Sequence, residues 1–234
     1  MREIVDSPSP NHNERPTGKA VDILLLHYTG MRSGDAALQR LRDPAAQVSS
    51  HYMIEEDGRI HCLVEESRRA WHAGVSYWAG ERDINGVSIG IELVNPGHDF
   101  GYRAFPQPQM VALIELGQAI LARHPIPAAR VLGHSDVAPS RKIDPGELFD
   151  WPALAKAGIG LWPAPAAGPS DLASVQRALT RYGYEVEASG VPDASTTQAL
   201  QAFQRHFRPA RIDGALDEET AALLHGLLRL TAGK

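Results

Sequence analysis

VDILLLHYTG, residues Val21 to Gly30, is a short apolar run closed by a turn signal. A run of that length suits a strand buried on both faces better than a helix, and it carries His27 near its C-terminal end. Further along, GVSIGIELVN reads as a second strand, with Ile89, Ile91 and Leu93 on one side and Ser88, Gly90 and Glu92 on the other. That second side consists of small residues around one carboxylate. Between the two strands, SHYMIEEDGRIHCLVEE reads as a hairpin, two alternating runs flanking a turn at Glu56, Asp57 and Gly58. PQPQMVALIELGQAILARHP has helical spacing, with Val111, Ile114 and Leu121 near one face and Pro125 as the stop. Strands interleaved with helices predict an α/β or α+β domain over roughly the first 160 residues.

Moving outward, the pattern changes at AGIGLWPAPAAGPSD, Ala157 to Asp171, where small and breaking residues crowd together and no hydrophobic period survives. This reads as a linker. Beyond it only helical spacing remains. DLASVQRALTRYGY sets Leu172, Val175, Leu179 and Tyr182 on one stripe, ended by Gly183. Two later segments share a spacing, Gly190–Asp193–Thr196 and Gly214–Asp217–Thr220, and each sets an aspartate at an N-cap position before an amphipathic run. The half-repeat predicts a small all-α domain of three helices. The expected division is therefore residues 1–156, a linker over 157–170, and a helical domain over 171–234. A small domain tethered in this way commonly raises effective concentration at a surface or polymer.

Composition narrows the partners. The formal charge is -5 and no basic run is present, so electrostatics predict neither nucleic-acid binding nor attraction to an anionic membrane. The single cysteine, Cys62, excludes an intrachain disulfide and reads as a small buried apolar residue. Residues 1–20 carry prolines and charges where a secretory signal needs an apolar core, and no stretch approaches the roughly 18 apolar residues of a membrane span. The expected location is cytoplasmic, with the periplasm or cell envelope as the alternative if a leader is missing from this sequence.

The chain has 10 histidines. His12, His98, His124, His206 and His225 lie in polar, helical or loop contexts and read as solvated or locally bonded residues without partners. His51 and His61 fall in the hairpin, where they pack or face solvent. His27 and His134 differ, because each ends an apolar run, DILLLH and RVLGH, and strand ends are where α/β sheets build sites. After His134, Pro139 and Pro145 disfavour helix, so Ser135 to Pro145 should be irregular or extended. In an extended run Lys142 and Asp144 face one side together. Two imidazoles and a carboxylate form a usual ligand set of catalytic zinc, with the fourth position left to water. In such a site Lys142 could stabilise an oxyanion and Glu92 could take the water's proton. Scattered His, His and Asp also occur in many proteins without metal, and the spacing alone leaves both readings open.

LLLHYTG, VSSHYMIEEDGRIHCLV, AWHAG, SIGIELVN and GHSDVAPSRKIDPGELFDW occur in this order, and together they resemble the zinc-dependent N-acetylmuramoyl-L-alanine amidases of the amidase_2 family, the AmpD/AmiD-like enzymes. The likeness spans most of Val21 to Trp151. The tail, through VQRALTRYGY and TTQALQAFQ, resembles the small helical peptidoglycan-binding module found beside such amidases. The resemblance implies an α/β fold with a mixed central sheet flanked by helices, and Zn2+ held by His27, His134 and Asp144. It also implies Glu92 activating or orienting the water, Lys142 stabilising the transition state, and hydrolysis of the amide joining N-acetylmuramic acid to L-alanine. The implied partners are muropeptides or cell-wall glycan. Ser140 stands where glycine is expected and Glu147 where proline is common. Asp136 reads as a turn residue bonding its own backbone, Trp71 and Trp151 as core aromatics, and Tyr28, His72 and Asn95 as substrate contacts. The alternative is a non-catalytic peptidoglycan receptor on the same fold. Such receptors typically lose a metal ligand, whereas all three candidates stand here.

Overall fold

The computed structural model describes residues 3–232. The strands are β1 (Ile4–Asp6), β2 (His12–Glu14), β3 (Ile23–Tyr28), β4 (Tyr52–Ile54), β5 (Ile60–Cys62), β6 (Arg68–Ala70), β7 (Ser88–Leu93) and β8 (Val131–Gly133). The helices are α1 (Gly34–Arg42), α2 (Ile84–Val87), α3 (Gly97–Phe100), α4 (Gln107–Arg123), α5 (His134–Val137), α6 (Trp151–Lys156), α7 (Leu172–Tyr182), α8 (Ala194–Phe207) and α9 (Glu218–Thr231). Six strands form a mixed sheet in the order β1-β5-β4-β7-β3-β8, and β2 pairs with β6 separately. β4 and β5 form the expected antiparallel hairpin, while β4, β7, β3 and β8 run parallel. The turn between β4 and β5 needs a left-handed residue, and Gly58 supplies it at φ 87°.

The apolar run 21–30 contains the interior strand β3, between β7 and β8, buried from Ile23 to His27 as its composition requires. Its two sets of alternate residues enter different cores. Leu24 and Leu26 join Ile89, Ile91 and Leu93 under Leu113, Leu116 and Ile120 of α4. The face of α4 turned to the sheet is centred on Met110, Leu113, Leu116, Gly117 and Ile120; of the expected set, Ile114 and Leu121 pack partly buried at its margin and Val111 is exposed. Buried Gln109 joins this face because its amide donates to the carbonyls of Ile54 and Val94, which holds α4 across two strands.

On the other side of β3, Ile23 and Leu25 share one apolar cluster with Trp78, Leu132, Val175, Tyr182, Tyr184, Phe203, Phe207 and Leu224. The C-terminal helices thus pack on the sheet side as a layer of its core, rather than swinging on a tether. Between α6 and α7 the backbone is irregular from 157 to 171. The half-repeat also holds: Asp193 and Asp217 accept from the amides of Thr196 and Thr220 as N-caps. Among the described residues, no helix is long and apolar enough to cross a membrane.

Candidate active site

The register of β3 against β7 pairs His27 with Glu92, so both side chains leave the carboxyl ends of adjacent parallel strands on the same face. β8 pairs Leu26 with Gly133, which brings the next residue, His134, beside His27. The segment after β8 corrects the extended expectation. His134–Val137 is one helical turn, begun by the Gly133 amide donating to Asp136 Oδ2 and ended at Ala138, ahead of Pro139. The prolines restrict only the residues next to them and leave 134–137 free to coil. The chain then returns through a cis Asp144–Pro145 peptide, and the Ser135 amide donates to the Asp144 carbonyl at 2.9 Å.

Three ligand atoms converge there. His27 Nδ1 lies 2.9 Å from His134 Nδ1, and each lies 3.1 Å from Asp144 Oδ2. The side chains are 1%, 4% and 8% exposed, so water screens them little. The surrounding hydrogen bonds assign the protons. His134 Nε2 faces the Ala73 carbonyl at 3.0 Å, an acceptor only, so the proton sits on Nε2 and Nδ1 presents a lone pair. The Ser88 hydroxyl donates to the Ile84 carbonyl and can only accept from His72 Nε2 at 3.3 Å. His72 Nδ1 is then an acceptor, taking the proton of His27 Nε2 at 3.1 Å, and His27 Nδ1 is bare as well. In these tautomers two lone pairs and a carboxylate oxygen face one another, a donor set that fits a cation. Bonds of about 2.0 Å to a tetrahedral ion set ligand atoms roughly 3.3 Å apart, close to the spacings found. Among the described residues, His27, His134 and Asp144 form the group with metal-ligand convergence.

Burial, then the neighbouring His134, lowers the His27 pKa to about 4, keeping the ring neutral. Burial opposes ionisation of Asp144, yet the attraction of the adjacent imidazoles and hydrogen bonds donated by them hold its carboxyl well below the usual carboxylate range, a place for positive charge that a bound cation would take. Glu92 moves the other way: burial, then the Asp144 charge, push it well above the ordinary carboxyl value, against the pull of Lys142. Its Oε2 is buried without a hydrogen-bond partner.

These groups open on a cleft of about 470 Å³ whose wall includes Tyr28, Arg40, Trp71, Glu92, Lys142 and Asp144. Lys142 and Asp144 do share it, as expected. Asn95 does not: it is fully buried, donating to the Arg103 carbonyl and accepting from the Gly97 amide, so it ties a loop and is out of reach of a substrate. His72 lines the cleft but lies beneath His27 with both ring nitrogens engaged, which makes it an orienting group. Trp151 is a core aromatic as expected, while Trp71 is a half-buried cleft wall whose indole donates to Asn13.

Several groups were not legible as part of this region. His98 meets the Tyr28 hydroxyl at 3.0 Å and Glu147 at 3.2 Å, His124 meets Glu66 at 2.7 Å, and His206 meets Asp136 at 2.7 Å, so these three are partnered rather than solvated. Arg15, from the N-terminal segment, donates to the carbonyls of Glu66, Gly86 and Ser88 and braces the site from behind. No local periodicity marks any of them, because each partner is distant in sequence.

Residues 17–147 match the family described as N-acetylmuramoyl-L-alanine amidase (Amidase_2), and residues 169–224 match one described as "Putative peptidoglycan binding domain". The N-acetylmuramoyl-L-alanine amidase AmiD of Escherichia coli K12 is 40% identical over 232 residues, 89% of this chain and 82% of AmiD. The structure of E. coli AmiD with anhydro-N-acetylmuramic acid-L-Ala-D-gamma-Glu-L-Lys superposes with a TM-score of 0.80 at 38% identity, covering 94% of each chain. Pseudomonas aeruginosa AmpDh3 in complex with anhydromuramic pentapeptide superposes with a TM-score of 0.82, also at 38% identity, over 93% of this chain and 96% of its own. With the three convergent side chains inside the matched span, this chain belongs to the Amidase_2 family of N-acetylmuramoyl-L-alanine amidases.

Proposed function

We propose that the cleft holds zinc on His27, His134 and Asp144 and hydrolyses the amide between N-acetylmuramic acid, or its 1,6-anhydro form, and L-alanine of the stem peptide. The observation that carries this is the convergence of His27 Nδ1, His134 Nδ1 and Asp144 Oδ2, 2.9–3.1 Å from one another, at the floor of an open cleft. Zinc bound there supplies Lewis acidity, polarising a carbonyl and bringing the pKa of water to about 7. Glu92 takes the proton of the attacking water and delivers it to the departing amine, a role suited to a carboxyl held above its usual range by burial. Lys142 stabilises the negative charge that develops on the carbonyl oxygen. His72 keeps the His27 tautomer that exposes Nδ1, and Tyr28 meets the substrate at the rim.

The substrate class follows the relatives, which were solved with anhydromuramyl peptides, and the helical domain suits the same polymer. The working division is residues 1–156 for catalysis, 157–170 as linker and 171–234 for the helical domain. Incubating the zinc-loaded protein with anhydro-N-acetylmuramic acid-L-Ala-D-gamma-Glu-L-Lys tests the reading by mass spectrometry: free tripeptide is expected. Intact substrate recovered bound to the protein would favour a receptor instead. A cytoplasmic site of action is a separate proposal, overturned by recovery of the full-length gene product outside the inner membrane.

A further inference from the structure

Asp136 lies outside the groups the amidase reading uses, yet it stands two residues after His134 with its side chain fully enclosed. Its Oδ2 accepts from the amide of Gly133, the residue before His134, at 2.8 Å, and from His206 Nδ1 at 2.7 Å. Its Oδ1 accepts from the Tyr184 hydroxyl at 2.7 Å. His206 is on α8 and Tyr184 follows α7, so both donors come from the helical domain. A second contact reaches the same place: the His206 ring stacks on Trp151 with centroids 3.7 Å apart. A β-carbon on Gly133 would come within 3.3 Å of that indole and 2.8 Å of Pro145, so the turn bearing His134 is hemmed in by groups that His206 backs.

We propose that His206 and Tyr184 are positioning residues for the metal centre, fixing through Asp136 the turn that presents His134. The proposal rests on the reading of His27, His134 and Asp144 as metal ligands. A buried carboxylate keeps one orientation only while its donors are in place. With a donor gone, Asp136 turns away from the Gly133 amide and the His134 turn loosens. Because the Ser135 amide holds the Asp144 carbonyl, the disturbance reaches two of the three ligands.

The test is zinc affinity, by competition with a chromogenic chelator, and the visible spectrum of the cobalt(II)-substituted protein, both on the full chain. Tyr184→Phe keeps the ring against Trp78, 5.0 Å between centroids, and removes only the hydroxyl. Tyr184→Phe and His206→Leu are expected to weaken zinc binding about tenfold or more and to change the cobalt d–d band. His206→Asn, whose amide can stand in for Nδ1–H, restores most of that affinity. Arg82→Ala removes an ion pair with Glu185 across the same interface and leaves both readouts unchanged. Wild-type affinity and an unaltered cobalt spectrum in Tyr184→Phe and His206→Leu overturn the proposal even where they melt earlier, since that would be a packing role alone. Should His206→Leu not fold, Tyr184→Phe decides. Failure of the wild-type protein to bind either metal removes the ligand reading itself, and the proposal with it.

Discussion

Gly90 has no side chain because the imidazole of His72 occupies that space: a β-carbon there would lie 2.6 Å from the ring. Gly90→Ala is therefore expected to displace His72 and destabilise by about 1–3 kcal/mol as overpacking, read by denaturant melts, and to weaken zinc binding through His27. Asp144→Ala should lower zinc affinity by more than ~100-fold and abolish turnover, because two ligands hold the ion poorly. Chelator competition measures the first effect, and full zinc occupancy in the variant would count against the assignment. Glu92→Gln should keep the zinc and lower kcat by about 10²–10⁴, the usual weight of a general base. Glu66 carries a different kind of prediction. Burial alone would raise its pKa, but Arg123, His124 and Tyr52 bond the carboxylate and bring it to about 2 from an ordinary 4.5. A depressed folded pKa means stability present above 4.5 and lost as pH falls toward 2. The melting gap between wild type and Glu66→Gln should accordingly narrow across that window.

At the scale of elements, the half-repeat of the helical domain runs deeper than its caps. Gln176 donates to the Val191 carbonyl and Thr196 hydroxyl and accepts from the Gly190 amide. Gln204 repeats this with Ala215, Thr220 and Gly214. Each fully buried glutamine thus fastens a helix to the preceding loop and first turn of the next. Gln204→Ala leaves that turn's amide and carbonyl unpaired and should cost about 1–3 kcal/mol in chemical denaturation. A cost near zero would mean that the caps carry the repeat unaided. Glycine, aspartate and threonine were legible because their backbone roles are local. The glutamines were not, since nothing in a helical period tells a buried amide from an exposed one. The same limit explains α4, where Gln109 faces the sheet and Val111 faces water.

Over the whole molecule, one apolar cluster joins Ile23, Leu25 and Leu132 of the sheet to Val175, Phe203 and Leu224 of the helical domain. A chain ending after residue 160 should expose that face, aggregate, and melt at least ~5 °C lower, by light scattering and calorimetry. An unchanged melting temperature would restore the tethered picture. Periodicity and turn chemistry were enough, within the sequence, for strands interleaved with helices, the three C-terminal helices and two strand-end histidines, because alternation and caps are properties of neighbouring residues, while the mixed sheet and the set of three candidate ligands came from the family resemblance. Three things depended on the tertiary structure: which ring nitrogens are bare, that His72 serves His27, and that Asp136 answers to His206 and Tyr184. Each is settled by hydrogen bonds between groups tens of residues apart, and a proton's position is known only when every partner around it is known.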